Sequence, residues 1–212
     1  MKLNNLLVLF VSIGIFHLLF ILIDFSRGRH FTKFLLIPSL MLWAYFVQPV
    51  YLLLLALFWG WVGDVLLIKK DRRLFLKLGL LAFLLGHIAY ITVFLLNTAA
   101  FPGVVFSTGI VFAYILFGVG MFRLLRPGLG RMLMPVGVYI FVISCMSATA
   151  LFFAMSNGRH AWWSFAGSLL FVFSDSVLAF QLFRTPFKYG RLIVMASYIP
   201  AQLLLASGIL FL

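Results

Sequence analysis

The sequence predicts an all-α membrane protein, a bundle of eight transmembrane helices, and three observations predict it. The 212-residue chain is 65% hydrophobic and 9% charged, far below the roughly 25% charged fraction of an ordinary soluble domain. Its apolar residues fall into eight runs, near 6–24, 32–48, 50–68, 74–97, 103–122, 132–154, 162–180 and 192–211, and about 20 such residues are needed to cross a hydrocarbon core of roughly 30 Å. Its basic residues gather in alternate connections, as the positive-inside asymmetry of membrane proteins requires.

Taken in order, each run is bounded by charges or by Pro and Gly. The first is too long for a signal peptide and has no small-residue cleavage site, so 6–24 reads as a retained helix. The second follows Arg27 and Arg29 and carries Pro38; the third ends before Lys69 and Lys70. The fourth follows Arg72 and Arg73 and ends at Asn97, and the fifth lies between Gly103 and Arg123. The sixth follows Arg131 and carries Pro135; the seventh stops short of Arg184 and the eighth follows Arg191. Lipid leaves no partner for open backbone, so all eight are expected to be helices, with little chain over for a soluble domain.

Connections one, three, five and seven hold Arg27, Arg29 and Lys33; Lys69, Lys70, Arg72, Arg73 and Lys77; Arg123, Arg126 and Arg131; and Arg184, Lys188 and Arg191. Only Lys2 and Arg159 fall on the other side, so the odd connections face the cytoplasm and both termini face outward. Trp43, Trp162 and Trp163 fall at outer helix ends, where an amphipathic ring favours the headgroup level. The net charge of +12 therefore reads as a topology signal, and nucleic acid is excluded as a partner. A multi-pass protein of a bacterial cytoplasmic membrane fits these short basic loops. Cys145, the single cysteine, reads as a small buried hydrophobe.

The two halves resemble each other. Gly63-Asp64 with Leu67 in the third helix recurs as Ser174-Asp175 with Leu178 in the seventh, and Lys33 with Pro38 recurs as Arg131 with Pro135. The pattern suggests a parallel repeat of two four-helix halves within one polytopic domain spanning 1–212.

Four acids occur in the chain. Asp24 and Asp71 border basic loops, but Asp64 and Asp175 lie within apolar helices, where a charge costs around 3 kcal/mol. At 1.5 Å per residue Asp64 is roughly 7 Å and Asp175 roughly 13 Å inside the cytoplasmic boundary, so the two could share a cavity. Each follows a face of small residues: Ala56, Gly60 and Gly63 in one case, Ser164, Gly167, Ser168 and Ser174 in the other. Such faces pack against other helices or line water. The bland alternative is that each carboxylate pairs with a loop arginine or caps a neighbouring helix and does nothing further.

His87 lies roughly 15 Å deep in the fourth helix, with Tyr90 one turn on. His17, His30 and His160 are scattered, with no pair at ligand spacing, so no metal and no cofactor is expected. Tyr139 and Gln202 add polar groups at intramembrane depth. No Gly-rich phosphate loop or G-x-S-x-G elbow occurs, so any catalysis is intramembrane and led by carboxylates.

The segments Phe58–Ile68 (FWGWVGDVLLI), Phe83–Ile91 (FLLGHIAYI), Pro135–Ile140 (PVGVYI), Phe171–Ala179 (FVFSDSVLA) and Ser197–Leu205 (SYIPAQLLL), in that order, resemble the YhhN-like lysoplasmalogenase family over essentially the whole chain. One position departs from the family pattern: Lys33 is followed by Phe34, with the proline delayed to Pro38. The resemblance implies a hydrolase cleaving the vinyl ether bond of a lysoplasmalogen to a fatty aldehyde and a glycerophospho-base. By position it implies Asp64, Asp175 and His87 as catalytic residues, with Tyr139, Tyr90 and Ser174 on the substrate. Gln202, Arg73 and Arg131 complete the expected substrate contacts, the two arginines at the phosphate. The expected partners are a lysophospholipid substrate and membrane lipid.

Such a reaction needs a proton on the β-carbon and water on the resulting oxocarbenium ion, so one acid and one base suffice. Two other classes of function fit the same residues. A small proton-coupled or cation transporter would use the paired aspartates as carriers, and a noncatalytic lipid-sensing protein would use its polar residues only to hold helices together.

Overall fold

The computed structural model describes residues 3–69 and 72–212; Lys2, Lys70 and Asp71, counted above, lie outside them. The chain is 87% helix, and no strand occurs among the described residues. The helices are α1 Leu3–Leu22, α2 Ser26–Val47, α3 Tyr51–Leu66, α4 Arg73–Leu96, α5 Val104–Leu129, α6 Leu133–Ser156, α7 Ala161–Phe183 and α8 Gly190–Leu210. Short 3-10 turns, Leu67–Lys69 and Gly130–Met132, follow α3 and α5.

By length and composition seven stretches can cross a membrane; the longest, Val104–Ser156, takes in α5 and α6 together. The chain is thus a multi-pass membrane protein, with many large apolar side chains on its outer surface, where lipid takes the place of water.

Helix bounds exceed the apolar runs where the sequence turns basic. α2 begins at Ser26, so Arg27, Arg29 and Lys33 lie within it, and α5 continues through Arg123 and Arg126 to Leu129. Charge marks where a helix leaves hydrocarbon, not where its hydrogen-bond ladder stops. Pro38, Pro127 and Pro200 lie inside helices. Trp162 and Trp163 are exposed, whereas Trp43 is only 3% exposed and packs inside the protein.

The chain divides into two compact units, Met1–Ala89 and Tyr90–Leu212, the division falling within α4. In the first, α1 packs on α2 and α2 on α3. The small-residue face of α3 receives α4: a methyl on Gly86 would lie 3.0 Å from the Ala56 carbonyl oxygen, and one on Gly63 would lie 2.6 Å from the Phe83 ring. In the second, α6 packs on α5 and α7, and α7 on α8. The small face of α7 serves both neighbours. Ser164 and Ser174 donate to the carbonyls of Leu205 and Val194 on α8 at 3.1 and 2.9 Å, while Ser168 meets Ser147 of α6 at 2.9 Å. Small residues let backbones approach, and in lipid these interhelical hydrogen bonds replace the hydrophobic drive.

Candidate functional site

In the first unit the intramembrane acid is Asp64, 4% exposed on α3. Its Oδ1 lies 3.1 Å from Nζ of Lys33 on α2. Each charge offsets part of the other's desolvation, so an acid that costs around 3 kcal/mol alone becomes tolerable in an apolar helix. This partner is a lysine of a neighbouring helix. Lys33 was counted from sequence among the basic residues of the first connection, but it lies within α2 and its ammonium reaches Asp64 of α3.

One position before Lys33, Thr32 accepts from Nδ1 of the buried His17 of α1 at 2.8 Å while donating to the Gly28 carbonyl at 2.7 Å. This bond ties α1 to α2 beside the ion pair. His87 is buried on α4, and its Nδ1 donates to the Phe83 carbonyl one turn earlier. In the neutral ring that tautomer leaves the lone pair on Nε2. Arg73 opens α4 and is exposed.

In the second unit Asp175, partly buried on α7, accepts a short hydrogen bond from the Tyr139 hydroxyl of α6. Antiparallel packing of α6 on α7 sets this pair: two turns away along both helices, Ser147 meets Ser168, and Tyr114 of α5 meets Ser147 at 2.7 Å. Ser174 is occupied by the Val194 carbonyl. Tyr90 donates to Oε1 of Gln202 at 2.9 Å, and Nε2 of Gln202 donates to the Tyr198 hydroxyl at 3.0 Å. All three of these side chains are buried, and Phe171, one turn before Asp175, packs edge-on against the Tyr198 ring at 5.3 Å. Arg131 sits in the 3-10 turn before α6 and is exposed.

Of the nine residues singled out from sequence, the structure joins Tyr139 to Asp175 and Tyr90 to Gln202. It bonds His87 and Ser174 to backbone and leaves Arg73 and Arg131 at exposed helix boundaries. Tyr198 and Lys33 join these groups without having been among the nine. Tyr198 had a readable signal, since it stands four residues before Gln202 and so on the same helix face. Among the described residues no three His, Cys, Asp or Glu side chains gather as metal ligands do.

A profile of the YhhN family matches residues 28–209. The chain is 32% identical over 149 residues to Lysoplasmalogenase TMEM86B of Rattus norvegicus, covering 70% of this chain and 57% of that protein. It is 34% identical over 150 residues to Lysoplasmalogenase TMEM86A of Homo sapiens, covering 68% and 59%. The chain thus spans somewhat over half the length of the curated relatives it matches. No solved structure matches it. With a profile match reaching from the first turn of α2 to the end of α8, this chain belongs to the YhhN family.

Proposed function

We propose that this protein is an intramembrane hydrolase that cleaves the vinyl ether bond of lysoplasmalogens, releasing a fatty aldehyde and a glycerophospho-base. Family membership and the names of the relatives supply the reaction class. The observation that carries it to chemistry is the Tyr139 hydroxyl donating to Asp175 at intramembrane depth.

Asp175 protonated on Oδ1, with Oδ2 accepting from Tyr139, is a general acid with a built-in stabiliser for the carboxylate it leaves behind. The proton goes to the β-carbon, and the alkenyl carbon bound to the ether oxygen becomes an oxocarbenium ion. Water adds there and returns a proton to the carboxylate, giving a hemiacetal. Its collapse breaks the bond to the glycerol oxygen, which takes the hydroxyl proton and departs as the alcohol, leaving the aldehyde. No cofactor enters this balance.

Asp64, held by Lys33, and His87 are the catalytic candidates we assign within the first unit. Tyr90, Gln202 and Ser174 are assigned to the substrate side of the second unit with Arg131 at the phosphate, and Arg73 is the phosphate candidate of the first. We further assign eight spans to α1–α8, with the first residue of α1 and the last of α8 on the outer face of a cytoplasmic membrane. Fourteen of the sixteen Lys and Arg residues then face the cytoplasm.

The test is incubation of purified protein with a vinyl-ether lysophospholipid and, separately, with its saturated alkyl-ether analogue, following aldehyde by coupled reduction. Aldehyde from the vinyl ether alone is expected. Folded protein that yields none across several head groups overturns the reading, and ion flux in proteoliposomes would then favour a transporter.

A further inference from the structure

Gly128, in the last turn of α5, sits against the Phe183 carbonyl at the end of α7: a methyl on Gly128 would lie 1.6 Å from that oxygen. No other residue type fits there, so the basic ends of α5 and α7 are clamped together. Arg126 is two residues before Gly128, and Arg184 follows Phe183. Arg131 follows Gly130, whose φ of +47° turns the chain back towards α6. Arginines of two connections, Arg126 and Arg131 of one and Arg184 of the other, thus arrive at one end of the second unit.

All three are exposed, and none makes an ion pair among the described residues. Asp175 is the one acid in residues 90–212, so this end carries uncompensated positive charge. Each position holds arginine, whose planar fork grips phosphate oxygens two at a time.

Two helices set the distance from these arginines to the Tyr139–Asp175 pair. Arg184 is nine residues beyond Asp175 and Arg131 eight before Tyr139, about 13 and 12 Å along the axes at roughly 1.5 Å per residue. In a single-chain glycerophospholipid, seven bonds separate the phosphorus from the β-carbon of a vinyl ether, about 9 Å when extended at ordinary bond lengths. With a guanidinium–phosphate contact of about 2.8 Å the ligand spans about 12 Å, a separation that the long, flexible arginine side chains at these helix ends can meet.

We propose that Arg126, Arg131 and Arg184 form a phosphate clamp at the basic end of the second unit, within one lysophospholipid's length of the Tyr139–Asp175 pair. The identity of the ether rests on the hydrolase reading; the clamp for a phosphate-bearing lipid head group does not. The competing explanation is that these arginines only neutralise helix C-terminal carbonyls, which predicts lost stability and unchanged affinity.

The experiment measures binding of an alkyl-ether lysophospholipid, which cannot be hydrolysed, and of the matching alkylglycerol, which lacks phosphate, by titration of detergent-purified protein. R131Q and R184Q are each expected to weaken the phospholipid about tenfold, the scale of one charge-assisted hydrogen bond, while the alkylglycerol binds wild type and variants equally. R184K recovers part of the loss, showing that the fold is intact and the fork matters, and R159Q, at the opposite end of α7, changes nothing. Competition by inorganic phosphate assigns the clamp to the phosphate group itself, and competition by lysophospholipid alone assigns it to the lipid head group. Equal weakening of both ligands, or unchanged phospholipid affinity with a lower melting temperature, overturns the clamp. Wild type that binds but forms no aldehyde from the vinyl ether sinks the hydrolase reading and leaves the clamp standing. With activity present, the same variants raise KM about tenfold and hold kcat within about twofold.

Discussion

Asp64 and Asp175 stand at matching places in two similar helix segments, yet the groups that hold them differ in kind. Asp64 is buried and faces a lysine ammonium; Asp175 is partly exposed and accepts from a neutral phenol. A carboxylate fixed by an ammonium is part of a charge pair that neither member leaves cheaply. A carboxyl bonded to a phenol keeps that bond whether it carries its proton or not. The two acidic segments thus bring their carboxylates to different groups, Lys33 in one and Tyr139 in the other.

The largest expected effect tests the working half of this comparison. Asp175→Asn removes the proposed acid and is expected to lower aldehyde release about 10³-fold or more, within the usual range of general acid catalysis. Tyr139→Phe, which only removes the stabilising donor, is expected to cost about tenfold in kcat. Measuring kcat for both variants, with melting curves as the fold control, decides the matter. An Asp175→Asn enzyme at near wild-type turnover would break the comparison at its centre.

The holding half is tested by stability. Lys33→Met or Asp64→Leu alone leaves a buried charge without its partner and is expected to destabilise by about 3–5 kcal/mol, while the double variant recovers most of the loss. Denaturation of the four proteins in one detergent closes the cycle. Additive losses would mean that the two charges do not sense each other, and Asp64 would then need another account.

Much of this architecture was legible beforehand, for a physical reason. Crossing lipid forces every backbone group into a helix, and apolar runs and alternating basic connections report that constraint directly. The small faces before each aspartate were also readable, and they pack as such faces do, α3 beneath Gly86 and α7 against α8. Partner choice was not legible. Lys33 reads as one more basic residue of the first connection, yet it lies on the side of α2 that faces Asp64 of α3. Tyr198 and Gln202 share a helix face by spacing, but that Tyr90 of α4 bonds to the same amide is not readable from that spacing. Pairings of this kind depend on helix rotation, which sequence spacing within one helix does not fix.

A third pair of substitutions sharpens the comparison at the residues just before each aspartate. Gly63 lies under the Phe83 ring, where a methyl would come within 2.6 Å. Gly63→Ala is therefore expected to push α3 and α4 apart or displace the ring, at about 1–3 kcal/mol. A milder loss would mean that Phe83 has room to turn.

Ser174 does the opposite work. Its hydroxyl reaches out to the Val194 carbonyl at 2.9 Å and draws α8 onto α7. That carbonyl lies within α8 and also accepts from the Ser197 hydroxyl at 3.1 Å, so Ser174→Ala removes one donor from a group already satisfied and leaves no buried polar atom stranded. The methyl that remains fills most of the serine's space. The expected loss is therefore small, about 0.6 kcal/mol, as for the average interhelical hydrogen bond in lipid, and a melting shift of a degree or two should be all that is seen. A hundredfold fall in turnover with stability held would bear out the substrate role assigned to Ser174, and unchanged turnover would leave its place beside Asp175 to packing alone.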